Sequence, residues 1–305
     1  MSGSRHAWRQ RLAGAAIALA VAAPMLVMGV RHRIDYDDWW HVFIARVTPW
    51  AQFWRDVSDN AHPPLFYLLL RAMAQLGRER LVYRALSIGA ALAAVYVVGR
   101  VAARLYRTPA VALLCALAFG LALPTVVMAC AVRSYMLSVL LVLVALRLAL
   151  ELLDPMRSDA RPGRAGWLTV ALAAAILTHY AAAFFAVAVA ALPFALAGME
   201  RTYRAWLVRC LRTQWRAIAA VAVPVAAVVA VVYAAHVSHF DGPMSHTAPF
   251  YPSPEEWAAG PLRGAAAFVA RGLVAEVDLF VPIALAAWPA AAQALLLGAL
   301  GALAV

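Results

Sequence analysis

The sequence predicts an all-α, polytopic membrane protein, and three observations predict it. Of the 305 residues, 65% are hydrophobic and only 13% charged, a balance outside the range of ordinary soluble domains. Apolar runs recur along the chain, and several reach the roughly 20 residues a spanning helix needs. All 26 basic residues are arginine, and most of them lie between the apolar runs instead of in one patch. The formal charge of +11 is therefore a topology signal and argues against a nucleic-acid partner.

The apolar segments fall at 12–30, 63–77, 82–103, 109–124, 134–152, 166–181, 182–199, 217–235 and 281–305. The first follows a basic stretch and has no small-residue cleavage site, so it reads as an uncleaved signal-anchor helix. Arg5, Arg9 and Arg11 place the N-terminus in the cytoplasm, and the first loop, 31–62, then faces outward. The clusters Arg100/Arg104/Arg107, Arg157/Arg161/Arg164 and Arg201/Arg204/Arg209/Arg212/Arg216 are expected on the cytoplasmic side. These assignments agree only if 63–77 does not cross. That segment is short, opens with Pro63-Pro64 and contains Arg71, which predicts a half-membrane or re-entrant helix. If it spanned instead, Arg100, Arg104 and Arg107 would lie outside.

Two outer stretches carry helix-start signals. Thr48-Pro49 reads as an N-cap followed by proline at the first helical position, and Trp50, Phe53, Trp54 and Val57 then recur on one face. A short interfacial helix is expected there. Ser253-Pro254-Glu255-Glu256 reads as a capping box within a second external loop, 236–280. The whole chain, 1–305, reads as one transmembrane domain. It stops within an apolar run at Val305, which suggests a C-terminal part beyond it. Cys115, Cys130 and Cys210 show no metal or disulfide spacing and read as packing residues.

The first loop concentrates acids. Asp35, Asp37, Asp38, Asp56 and Asp59 lie within 31–67, out of 15 carboxylates in all. The same topology brings His62, Arg133, Tyr135 and His179 to the outer face beside Asp37 and Asp38. Ionisable groups near the membrane interior are costly and mark sites or pathways. His236, His239 and Asp241 have a metal-like spacing, but nothing else in that loop supports a metal site.

The pattern Tyr36-Asp37-Asp38, followed by His62-Pro63-Pro64-Leu65-Phe66-Tyr67, resembles the polyprenyl-phosphate-sugar-dependent glycosyltransferases of the GT-C superfold. These include the protein O-mannosyltransferases and the lipid A aminoarabinose transferases. Arg84-Ala85-Leu86-Ser87, Ala131-Val132-Arg133-Ser134-Tyr135 and Thr178-His179-Tyr180 follow in the same order, so the resemblance covers about residues 12–200. Asp38 stands where that family has glutamate, and Ala131 where many relatives carry an acid. The resemblance implies a GT-C-like helical bundle whose external first loop carries short interfacial helices.

It further implies an inverting transferase of the cytoplasmic membrane with an outward-facing site. The donor would be a polyprenyl-phosphate-linked sugar, met within the membrane lipid, and the acceptor a glycan, lipid or protein of the envelope. Asp37 would be the base, and Asp38 would orient the acceptor or help hold a divalent cation. Arg133 and His62 would bind the donor phosphate, and Tyr135 and His179 would line the donor pocket. Two other readings stand beside it: a transporter or flippase, and a non-catalytic scaffold of the same fold.

Overall fold

The computed structural model describes residues 18–47, 49–60, 63–152, 162–213 and 215–235, all within the first of two compact units, Met1–Phe240. His62, Thr48, the capping box at Ser253, the His236/His239/Asp241 spacing, the loop 236–280 and the last apolar run lie outside the described residues. So do residues 12–17 of the first segment and Arg157 and Arg161. Among the described residues there are twelve helices and no strand.

The long apolar runs form the expected helices. They are α1 (Ala18–Arg31), α5 (Arg80–Tyr106), α8 (Tyr135–Leu152), α9 (Pro162–Thr178), α10 (Ala182–Met199) and α12 (Trp215–Ala235). Four of them, α5, α8, α10 and α12, are long and apolar enough to cross a membrane, which is the make-up of a multi-pass membrane protein. Phe184, Val187 and Phe194 on α10, and Val223 and Val231 on α12, are exposed. Such apolar outer surface suits lipid better than water.

The run expected at 109–124 differs. It is broken at Ala122 into α6 (Pro109–Leu121) and α7 (Leu123–Cys130), bent by 54°. Pro124 explains the break, because it cannot donate a helical hydrogen bond and its ring clashes with the preceding turn. It sits instead in the first turn of α7, where a missing N–H costs nothing. Helicity then continues six residues past the expected end, and the chain opens at 131–134.

The main core surrounds α5. Val21 and Met25 of α1, Ala91 and Ala94 of α5, Ala129 of α7 and Met136 of α8 pack there. Gly120 permits the close approach of α6, since a Cβ there would lie 2.8 Å from Val21 Cγ1 and 2.9 Å from Val95 Cγ2. At one end of α5, Arg104 donates to the Leu150 carbonyl of α8 at 3.2 Å.

Three short helices fill the first loop and the segment after it: α2 (Tyr36–Arg46), α3 (Trp50–Ser58) and α4 (Pro64–Ala74). Pro49 is the N-cap of α3 with extended backbone, not its first helical residue, so α3 begins one position later than expected. Its face also divides. Phe53 and Val57 are buried against Ile44 and Tyr67, while Trp50 and Trp54 remain exposed. With 11 residues, α4 is about 16 Å long, half the roughly 30 Å of a hydrocarbon core. Arg71 in its last turn donates to the Ala45 and Val47 carbonyls and lies over the Trp50 ring at 4.3 Å. It thus ties α4 to the end of α2. A connecting helix, α11 (Arg201–Thr213), joins α10 to α12.

Candidate functional site

The site forms where the start of α2 meets the opened chain between α7 and α8. Asp35 caps α2, its Oδ1 accepting from the Asp38 N–H at 2.7 Å. That places Asp37 and Asp38 in the first helical turn, where the helix dipole favours carboxylates. Successive residues on a helix point about 100° apart, and the two acids diverge accordingly. The Asp37 side chain is 66% exposed, whereas Asp38 is 2% exposed.

Arg133 joins them. Its Nη2 donates to Asp37 Oδ2 at 2.8 Å, and its Nε donates to Asp38 Oδ1 at 3.3 Å. Asp35 Oδ1 lies 4.0 Å from Nη2. Burial works against the Arg133 charge, yet the bonds and charges of Asp37 and Asp38 hold its pKa above the ordinary value. Burial, with the nearby Asp35 charge, raises the Asp38 pKa; a hydrogen bond from the Val132 backbone and the Arg133 guanidinium oppose it.

The next pair is contiguous with this cluster. Tyr135 opens α8 and acts electrostatically on Arg133. Its ring stacks obliquely against His179, centroids 5.6 Å apart, at the turn between α9 and α10. Of the expected site residues, Asp37, Asp38 and Arg133 are joined by hydrogen bonds, and Tyr135, two positions after Arg133, is paired with His179. His62 lies outside the described residues, one position before the Pro63 that caps α4.

Several supporting residues carried no individual role in the sequence reading. Arg84 is fully buried. Its Nη1 donates to the carbonyls of Gly29 at 2.5 Å and His32 at 2.9 Å, and its Nη2 to that of Arg33 at 3.1 Å. It therefore fixes the chain leaving α1 just ahead of Asp35. Ser87, one turn along α5, donates to the Arg133 carbonyl at 3.2 Å. His41 of α2 is hydrogen-bonded to the Tyr67 hydroxyl of α4 at 2.8 Å and packs edge-on against Phe66. An arginine inside an apolar run is the one signal that could have marked Arg84.

Among the described residues, no group of three or more His, Cys, Asp or Glu side chains is arranged to hold a metal ion. The Asp38 carboxylate is engaged by Arg133 through Oδ1.

What fold and site define together is a multi-pass membrane protein, all-helical among the described residues, with a charged cluster at the end of one broken helix. No protein-family model, curated protein or solved structure matches the chain.

Proposed function

We propose that the protein is a GT-C-like, inverting glycosyltransferase. It moves a sugar from a polyprenyl-phosphate donor to an envelope or secreted acceptor on the outer face of the cytoplasmic membrane. One observation supports this reading above others. Asp37, Asp38 and Arg133, which carry the family resemblance from positions far apart in the chain, meet at 2.8 and 3.3 Å.

In this reading Asp37 is the base because it is the accessible acid. Its carboxylate takes the proton of an acceptor hydroxyl or amine as that atom attacks the anomeric carbon. The bond from that carbon to the phosphate oxygen breaks, and the phosphate leaves with the electron pair. Arg133 stabilises the phosphate charge through its planar fork of donors. Asp38, buried on the other edge of the guanidinium, holds Arg133 in place and does not contact the acceptor. A donor phosphate competes with Asp37 for Arg133 Nη2, so donor binding frees the base. Tyr135 and His179 extend the same surface toward the sugar. No step is assigned to a divalent cation.

The test is to supply membranes containing the protein with a labelled polyprenyl-phosphate sugar and an envelope extract. Label should pass to an acceptor. Absence of transfer with every donor offered overturns the proposal.

The bent α6–α7 pair supports a second reading, a lipid-linked sugar flippase, because broken helices recur in transporters at the substrate site. Movement of intact donor across proteoliposomes without transfer would select it.

A further inference from the structure

The link between the candidate spans α10 and α12 is itself amphipathic. At 3.6 residues per turn, Tyr203, Trp206, Leu207 and Cys210 fall on one side of α11, and all four are sheltered. Arg201, Arg204, Arg209 and Arg212 fall on the other, along an open groove of about 660 Å³. Among the described residues no carboxylate forms an ion pair with any of these four. Glu200, at the head of the helix, is the one acid between 199 and 235. Four like charges on one face repel unless an anion lies among them.

The position of α11 says where that anion comes from. Helix α10 ends at Met199, α11 starts at Arg201, and α12 starts at Trp215. With so little chain to spare, a helix about 20 Å long joining two spans stays in the headgroup layer. Trp215, exposed at the start of α12 with the Arg216 guanidinium 5.5 Å over its ring, has the character of an interfacial anchor.

We propose that the arginine face of α11 binds anionic phospholipid headgroups of the leaflet in which α11 lies. The guanidinium groups pair with phosphodiester oxygens, and the sheltered aromatic face packs against the spans. This surface is separate from the Asp37–Arg133 site, and its test does not depend on transfer activity.

The full chain is reconstituted in phosphatidylcholine bilayers carrying trace spin-labelled phosphatidylglycerol or spin-labelled phosphatidylcholine. Electron paramagnetic resonance then reads the fraction of each label immobilised at the protein. Phosphatidylglycerol should be preferred by at least about threefold, and raised salt should weaken the preference. The preference should vanish in Arg201→Gln/Arg204→Gln/Arg209→Gln/Arg212→Gln. The corresponding four-lysine variant, which keeps the charge, should retain most of it and shows that loss is not misfolding. Equal immobilisation of both lipids, or an unchanged preference in the glutamine variant, overturns the proposal. Displacement of the preference by millimolar inorganic phosphate also overturns it, in favour of a free-phosphate site.

Discussion

Arg133 Nη2 donates to Asp37 Oδ2 at 2.8 Å across 96 positions of sequence. The same guanidinium reaches Asp38 through Nε, so one cation holds an exposed and a buried carboxylate at once. In the mechanism proposed above, the buried pair fixes geometry and the exposed one is exchanged for the donor phosphate.

The buried pair should be energetically coupled. Arg133→Gln leaves the buried Asp38 carboxyl with no cation beside it, and breaking a buried pair in this way costs about 3–5 kcal/mol. Adding Asp38→Asn removes the stranded carboxyl. The double variant should therefore be more stable than the sum of the singles by about 1–3 kcal/mol, measured by reversible denaturant titration in micelles. Additivity within about 0.5 kcal/mol would show that the two side chains do not support each other.

Arg84 should be worth more to the protein than an ordinary apolar-face residue. Arg84→Met leaves the carbonyls of Gly29, His32 and Arg33 without their donor, at a cost of about 2–4 kcal/mol. Arg84→Lys should recover only part of this, because an ammonium lacks the planar fork that spans three carbonyls. The thermal midpoint in detergent checks the order: wild type above lysine, lysine above methionine.

Asp38 gives the stability a defined pH dependence. Burial raises its pKa in the fold above the ordinary 3.8, so the folded state binds this proton more tightly than the unfolded chain does. The resulting contribution is full below about pH 3.8 and is lost as pH rises through the raised folded value. Relative to wild type, Asp38→Asn should therefore gain thermal stability as pH is raised from about 3.8 through the raised folded value, then level off. A difference that stays flat with pH would contradict the burial of this carboxyl.

Much of the frame was legible in the residues, for physical reasons that also explain the gaps. Helices α5, α8 and α12 follow long apolar runs, which need no partner to identify them. Helix α2 did not stand out, because two of its buried residues, Asp38 and His41, are polar and blur the helical period. The break at Ala122 was hidden because its flanks, Leu121 and Leu123, are as apolar as the helices on either side. Asp37, Asp38 and Arg133 could be singled out by charge, but their contact depends on chain opening at 131–134. The carbonyl acceptors of Arg84 belong to the backbone of 29–33, and no side-chain pattern records them.

The most direct test of the account is Asp37→Asn, compared with wild type in a labelled polyprenyl-phosphate sugar assay. The side chain is 66% exposed, so the fold should be unaffected and the thermal midpoint unchanged. Loss of the base should reduce turnover by about 100-fold or more. The KM for donor should not rise, since a competitor for Arg133 has been removed. Transfer at the wild-type rate would contradict the assignment of Asp37 as the base.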